Sequence, residues 1–361
     1  MSTEQEHGIL REYDDQKSRY EAFGRSVADL VSRLVARNGL DIFSVDYRVK
    51  DRSSLKAKIA RPEKSGKYAS LSDLTDITGV RVIAFLREDC RAICTLIEEN
   101  FRIDYENSSD KELLLDPDRF GYTSIHYVVS HDYQRTFLPE FSDFDGLKAE
   151  IQIRTVLQHS WAAIDWSLRY KSNADVPLQL KRRLYRISAL LEAADNEFSA
   201  ISIEAKSIRA DYRRQIEAQD FNIPIDAESV SIYFELSLPL KKLIARTHRS
   251  GMPILDVGKE THGRLPSLIS ALTAGGFSKL GEIDAVIRRP QKEHIANLKR
   301  VLASWKDRGG FEYLSIETMV RVLMTLSAGS SQAKRMIKGA PINFSLGKAL
   351  ETIVDNNVEP G

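Results

Sequence analysis

Residues 146–154 (GLKAEIQIR) alternate as a short strand. Leu147, Ala149, Ile151 and Ile153 share one face, and Lys148, Glu150, Gln152 and Arg154 share the other. An apolar face asks for a core. The opposite face carries a carboxylate, an amide and a guanidinium in a row, a set that can accept a proton and orient a charged ligand. A solvated antiparallel face is the plain alternative. Residues 122–130 (YTSIHYVVS) read as a second strand with Tyr122, Ser124 and His126 on one face, and Gly121 just before it lets a ligand approach the backbone. An aromatic beside a glycine suits stacking on a nucleobase, although an ordinary core aromatic has the same local look.

Asp73 and Asp76 lead into a strand that carries Gly79 and Arg81. Mg²⁺ takes one or two carboxylates and leaves its other positions to water and phosphate oxygens, so these residues could hold the ion beside a phosphate. The plain alternative is a cap at Asp73 and an ion pair between Asp76 and Arg81. Upstream, residues 48–67 hold eight basic side chains (48, 50, 52, 56, 58, 61, 64 and 67) against acids at 51 and 63. Such a local field attracts anions, and Arg48, Lys50, Lys56 and Lys58 have alternating or helical spacing that could clamp a triphosphate. Gly66-Lys67 lacks the upstream glycine of a phosphate-cradling loop, and no GxGxxG occurs. A nucleotide here must be held by side-chain cations and Mg²⁺.

The elements that would position these groups follow from periodicity. Residues 4–38 repeat apolar positions at three- and four-residue steps (Leu10, Tyr13, Phe23, Val27, Leu30, Leu34), which predicts one amphipathic helix stopping at Asn38-Gly39. Residues 80–86 (VRVIAFL) read as a strand, 89–99 as a helix, and Thr155 caps a helix to about Lys171. In that helix Leu157, Trp161, Ile164 and Leu168 form a seam expected in the core, and His159 faces away from it, either bordering the candidate site or as a solvated or capping histidine. From Pro177 the character changes. Leu180, Leu184, Ile187, Leu191, Ala194, Phe198, Ile201, Ala205 and Ile208 make a heptad seam on a long helix, which must be buried on its own domain or on a second copy. Residues 228–361 read as mostly helical, with a short strand expected at 231–236. The fold class is α+β, a mixed sheet flanked by helices followed by a mostly α-helical C-terminal region. The expected divisions are 1–39, 40–175, 176–220 and 221–361.

With 361 residues the chain has room for about two domains. Its 42% hydrophobic and 29% charged content excludes a wholly disordered chain, and its longest apolar runs are too short to span a membrane. The polar, acidic start lacks the form of a signal peptide, so a cytoplasmic protein without membrane contact is expected. Cys90 and Cys94 are the only cysteines, which excludes a disulfide framework and a cysteine-rich zinc site.

The runs YRVKDRSSLKAKIAR, LTDITGVRV, FGYTSIHYVV and AEIQIRTVLQHSWAAIDWSLRYK, in that order, resemble the synthetase domain of the RelA/SpoT family over about residues 40–172. Members of that family move the β,γ-pyrophosphate of ATP to the ribose 3′-hydroxyl of GDP or GTP, giving the alarmone (p)ppGpp. The resemblance implies a nucleotidyltransferase-like sheet, Mg²⁺ as cofactor, and ATP with GDP or GTP as partners. Arg48 and Lys50 match the family's ATP-binding Arg-x-Lys, Ser54 and Lys58 continue that segment, and Arg81 matches the arginine of the next strand. Asp76 matches the Mg²⁺-binding aspartate. Tyr122 matches the tyrosine that stacks on the acceptor base, and His126 the histidine near it. Glu150 matches the glutamate proposed to activate the hydroxyl and to touch the metal, with Gln152 and Arg154 on the same face.

The departures are specific. About forty residues precede the match where long family members carry a hydrolase domain, and His131-Asp132 stands alone, so alarmone hydrolysis is not expected. Trp166 stands where many relatives have histidine. Asp118-Arg119-Phe120 replaces the usual Lys and Asn before GY, which opens the acceptor to tRNA or an adenosine nucleotide, as in relatives that act as growth-arresting toxins. Residues 181–214 carry eight basic side chains against five acids, a modest surface for tRNA. A homo-oligomer through residues 180–208 is a further expectation. The reading of another class, an inactive nucleotide-sensing protein, has to explain why Asp76 and Glu150 occur together.

Overall fold

The computed structural model describes residues 3–61, 68–110, 124–171, 177–252, 254–255, 265–307, 314–340 and 342–356. The chain divides into two compact units, Met1–Ser202 and Ile203–Gly361, and the dividing line falls inside one long helix.

The first unit opens with helix α1 (Thr3–Arg37). Its buried side chains, Ile9, Leu10, Tyr13, Tyr20, Phe23, Val27, Val31 and Val35, follow the helical period expected from the sequence. It stops where Gly39 takes φ +65° and the amides of Asn38, Gly39 and Leu40 cap its last carbonyls. Strand β1 (Ile42–Val49) and helix α2 (Arg52–Ile59) follow, then β2 (Thr78–Ala84), α3 (Arg87–Asn100), β3 (Phe101–Asp110), β4 (Ile125–His131), the single turn α4 (Tyr133–Thr136), β5 (Ala149–Thr155) and α5 (Val156–Lys171). The five strands form one mixed sheet in the order β1-β2-β5-β4-β3. The β2–β5 pair is parallel and the others are antiparallel.

Helices α1, α2 and α3 bury one sheet face, packing on Val80, Val82, Ala149, Ile151 and Ile153. That leaves the polar set of β5 on the other face, as the alternation of residues 146–154 required. Helix α1 comes very close to the sheet at Gly24, where a Cβ would lie 2.9 Å from both Thr78 Cγ2 and Tyr47 Cδ2. Strand β1 had been readable only as an alternating or helical basic run, and β3 carried no sequence signal. Within residues 122–130 the described strand is Ile125–His131, and Tyr122 lies outside the described residues.

Two expected burials hold only in part. Ile164 and Leu168 are exposed, so α5 presents part of its apolar seam to solvent. Helix α6 (Leu178–Glu217) exists as expected, but Leu180, Ile187, Phe198, Ile201 and Ile208 of its seam are exposed. Within residues 180–208 the buried positions on α6 are polar, Ser188 and Asp195, and Asp195 accepts a hydrogen bond from Thr155 Oγ1 at 2.7 Å at the end of β5. Leu184, Leu191 and Ala194 are half-buried, so the seam is covered only in part.

The second unit contains, after the end of α6, helices α7 (Ala227–Leu236), α8 (Leu238–Arg249), α9 (Leu265–Gly275), α10 (Leu280–Ile287), α11 (Gln291–Lys306), α12 (Ile316–Ser327), α13 (Ser330–Lys338) and α14 (Phe344–Asn356). Two short strands, β6 (Ile254–Leu255) and β7 (Leu314–Ser315), pair in parallel. The strand expected at 231–236 is the body of α7. Asp226 caps that helix by accepting from the Ser229 amide at 2.8 Å, and Ser229, Val230, Ile232 and Tyr233 are buried at helical spacing. Helix α12 lies in the core with Met319, Val320, Val322, Leu323 and Met324 buried. Its buried Arg321 donates to Ser267 Oγ and to the carbonyls of Met336 and Ala340, which gives the charge a polar nest. Among the described residues no helix is long and apolar enough to cross a membrane.

Candidate active site

The register of the sheet assembles the site. Arg48 lies opposite Gly79, Gly79 opposite Glu150, Arg81 opposite Gln152, and Gln152 opposite His126. Paired residues share a face, so two adjacent rows, Arg48-Gly79-Glu150 and Arg81-Gln152-His126, lie on the face left uncovered by α1 and α3. Gly79 keeps the floor of the first row low. A cleft of about 350 Å³ opens above it, lined among others by Arg48, Lys50, Asp76, Arg81, Glu150 and Trp166.

Asp76 sits between two lysines. Lys50 Nζ is 2.9 Å from Oδ2 and Lys58 Nζ is 2.6 Å from Oδ1. Three ties hold this group in place. The Lys50 amide donates to Ile77 O at 2.8 Å, the Tyr13 hydroxyl donates to the Lys50 carbonyl, and Arg52 Nε reaches Asp14 Oδ2 of α1 at 2.9 Å. Burial pushes the Asp76 carboxyl up, but the hydrogen bonds and charges of Lys58 and Lys50 outweigh it and hold Asp76 below its ordinary value.

Glu150 stands in a second polar chain. The Ser124 hydroxyl is 2.6 Å from His126 Nε2, and His126 Nδ1 is 3.0 Å from Glu150 Oε1. Gln152 Nε2 donates to Glu150 Oε2 at 2.8 Å, and Arg154 donates to Gln152 Oε1. Burial raises the Glu150 carboxyl, but the hydrogen bond and charge of His126 and the Gln152 amide bring it below the usual range. Each carboxylate oxygen has one such partner, which leaves accepting capacity on both.

Cations crowd the rest of the face. Burial and the charges of Arg81 and Arg48 lower Arg154 to about 10, and burial with Arg48 lowers Arg81. Among the described residues, Arg81 Nε, Arg154 Nε and His159 Nδ1 are buried without a hydrogen-bond partner. Unpaired buried donors beside like charges are costly, and an anion drawn into the cleft would relieve them.

Residues 47–175 match the family model described as a region found in RelA / SpoT proteins. Residues 47–175 are a RelA/SpoT-family domain. The chain is similar to GTP pyrophosphokinase YjbM of Bacillus subtilis (strain 168), 29% identical over 171 residues, which is 47% of this chain and 77% of that relative. It is similar to GTP pyrophosphokinase YwaC of the same organism, 28% identical over 158 residues, 44% of this chain and 72% of the relative. The crystal structure of small alarmone synthetase 1 from Bacillus subtilis superposes with a TM-score of 0.46 at 25% identity, covering 55% of this chain and 99% of that one.

In the RelA/SpoT domain the cleft gathers Arg48, Lys50, Ser54, Asp76, Arg81, Glu150 and Gln152 of the expected residues. Lys58 joins them through Asp76, and His126 and Arg154 through the Glu150 chain. Tyr122 lies outside the described residues, as do residues 62–67 of the basic run. Asp76 pairs with the two lysines and not with Arg81. Ser54 has a local role already. Its amide and hydroxyl bond to Asp51, the N-cap of α2, and the Ser53 hydroxyl together with these two donors holds the Asp51 carboxyl far below its usual range. Sequence reasoning missed Asp46 and the wall formed by Trp166, which is 64% exposed and lines the cleft. A signal for Trp166 existed, since it follows His159 by seven residues, two helical turns on one face of α5.

The donor set fits Mg²⁺. Asp76 and Glu150 line the same cleft with hard carboxylate oxygens, and the Asp76 charge pushes the Glu150 carboxyl up. Two carboxylates that repel across a cleft are the disposition a divalent cation relieves.

Proposed function

We propose that this chain is a pyrophosphotransferase that moves the β,γ-pyrophosphate of ATP to the ribose 3′-hydroxyl of GDP or GTP. The observation that carries the reading is the Ser124–His126–Glu150–Gln152–Arg154 chain, whose Glu150 shares one cleft with Asp76 and Lys50, Asp76 being paired in turn with Lys58. The names of the two Bacillus subtilis relatives support the same chemistry.

A ribose hydroxyl is a poor nucleophile because its proton is held tightly. Glu150, kept ionised by its neighbours, accepts that proton as the 3′-oxygen attacks the β-phosphorus. The bond from the β-phosphorus to the bridging oxygen of the α-phosphate breaks, and AMP leaves with the electron pair. Arg48, Lys50, Lys58 and Arg81 hold the phosphates and offset the charge that develops on them. Ser54 belongs to the same ATP-binding segment. Asp76 and Glu150 would hold Mg²⁺, which when bound supplies further neutralisation of the phosphate oxygens. Tyr122, four residues before His126, would stack on the acceptor base, with His126, Gln152 and Arg154 bounding the acceptor side. The exposed α6 seam supports self-association through residues 180–208. Light scattering is expected to give a mass above 40.9 kDa, and a monomer at every concentration would refute it.

The deciding experiment supplies ATP labelled at the γ-phosphate and Mg²⁺, with GDP, GTP, ATP and tRNA as separate acceptors. Label on GDP or GTP is the expected result. Label on tRNA or ATP alone keeps the transfer and overturns the acceptor. Label on none of them overturns the activity.

A further inference from the structure

Helix α1 reaches the candidate site through three consecutive residues, Glu12, Tyr13 and Asp14. Glu12 Oε2 accepts from the Leu71 amide at 3.3 Å, five residues ahead of Asp76. The Tyr13 hydroxyl donates to the Lys50 carbonyl. Asp14 accepts from Arg52 Nε on both of its oxygens, at 3.1 and 2.9 Å. The three partners belong to the two segments, 50–52 and 71–76, that carry the Lys50–Asp76 pair.

These ties differ in weight. Arg52 and Asp14 are each about half exposed, and such a pair contributes little. The Glu12 bond stands at the long end of the ordinary range. Tyr13 is 1% exposed and belongs to the same core cluster as Leu55 and Ile59 of α2. Close packing fixes its ring and therefore its hydroxyl. Burial, and after it the carboxylates of Asp51, Glu21 and Asp14, raise that hydroxyl above its ordinary value, so it stays a donor.

A buried tyrosine hydroxyl needs an acceptor, and any carbonyl in reach satisfies it. That structural account does not say why the acceptor is Lys50. Lys50 follows the last residue of β1 and precedes Asp51, the N-cap of α2, so its carbonyl falls between the strand and the helix. Its amide donates to the carbonyl of Ile77, the residue after Asp76, at 2.8 Å. Tyr13 takes the other side of the same residue. Both peptide groups flanking the Lys50 Cα are thereby pinned, with the side chain aimed at Asp76 Oδ2, 2.9 Å from Nζ.

We propose that Tyr13 is a positioning residue for ATP binding, acting through the Lys50 carbonyl to hold the Lys50 ammonium beside Asp76, where it meets the phosphates. This role rests on ATP being the pyrophosphate donor, as proposed above. A lysine ammonium rides on a flexible four-carbon stem and can reach many places. Tyr13 narrows them from the backbone end. Removal of its hydroxyl should therefore weaken the hold on the donor and spare the acceptor side, bounded by His126, Gln152 and Arg154.

The test is a double-mutant cycle on the full chain: wild type, Tyr13→Phe, Lys50→Gln, and the two combined. Label transfer is read as separate KM values for ATP and for the acceptor. Tyr13→Phe keeps the buried ring and should raise KM for ATP about fivefold or more, with KM for the acceptor unchanged. A hydroxyl needed only for folding would lower the melting temperature and the active fraction, which lowers kcat and moves neither KM. In the Lys50→Gln chain the same substitution should change KM for ATP by less than about twofold, because the group it positions is gone. KM for ATP equal to wild type in Tyr13→Phe overturns the proposal, and so does an effect of equal size in both backgrounds. A second readout needs no substrate. Acetylation by an N-hydroxysuccinimide ester, followed by peptide mass spectrometry, should run about threefold or more faster at Lys50 in Tyr13→Phe than in wild type. Lys148, paired with Asp104, is the unchanged reference. Lys50 labelling equal to wild type overturns the positioning role whether or not wild type transfers label. A wild type that transfers label to no acceptor refutes the activity instead, and the cycle is then read as ATP affinity by equilibrium dialysis. An affinity unchanged by Tyr13→Phe overturns the proposal there.

Discussion

Glu150 and Asp76 share a face and are both carboxylates, but their partners set them to different tasks. Glu150 is held by an imidazole and an amide, His126 and Gln152, each on one oxygen, which leaves accepting capacity on both. Asp76 is held by two lysines whose charges would be left unpaired without it. Glu150→Gln keeps the side-chain size and removes the base. Turnover should fall roughly 10²–10⁴-fold while ATP binding persists, measured by label transfer and by equilibrium dialysis. Wild-type turnover in that variant would remove Glu150 from the proton path. For Asp76 the sign follows from linkage. Its folded-state pKa lies below the ordinary 3.8, so on acidification the unfolded chain takes the proton first. The stabilisation is complete above 3.8 and is lost as pH falls through the folded-state value. The melting temperature of Asp76→Asn should therefore lie furthest below wild type at neutral pH, and the gap should narrow as pH drops into the acid range. A gap independent of pH between 3 and 7, the window chosen for the melts, would mean that the lysine pairs contribute no net stability.

At the level of elements the site depends on strand register. Gly79 is the one residue of its row without a side chain, between Arg48 of β1 and Glu150 of β5. A Cβ there would meet Arg48 Cγ at 3.8 Å, an ordinary contact, so the backbone does not forbid substitution. Gly79→Val should keep the fold, since a β-branched residue suits a strand, and should raise the floor of the cleft. Nucleotide affinity is expected to drop at least about tenfold at an unchanged or higher melting temperature. A drop in both would mean that Gly79 is needed for the sheet itself. The sequence made much of this legible where one face is buried and the other polar, because a period of two then leaves a single reading. Residues 146–154 are that case, and so is α1 at its own period. Strand β1 was ambiguous because Phe43, Tyr47 and the charged residues leave it exposed on both faces. Residues 231–236 are rich in strand-forming types, yet the cap at Asp226 and burial at helical spacing decide for α7. The seam of α6 shows the limit of periodicity. It identifies an apolar face but not what covers it, and within residues 180–208 the fully buried positions are Ser188 and Asp195.

For the whole molecule, the near-neutral total of +1 hides local runs of charge, such as the eight basic side chains among residues 48–67. The two units also have separate cores. The first gathers α1, α2, α3 and the sheet, the second gathers helices from the end of α6 to α14, and the two clusters have no residue in common. Each core should accordingly melt as its own cooperative unit. Calorimetry of the full chain is expected to show two transitions. Leu272 of α9 is fully buried in the second core, and Leu272→Ala removes three carbons there. Such truncations cost about 2–5 kcal/mol. For a unit of this size that corresponds to a shift of roughly 5–15 °C. The shift should fall on one transition only, and label transfer at a temperature below both should stay near wild type, because no residue of the proposed catalytic set lies in the second core. Movement of both transitions together would show that the two cores unfold as one. Transfer lost along with the second transition alone would place that unit in the control of the first.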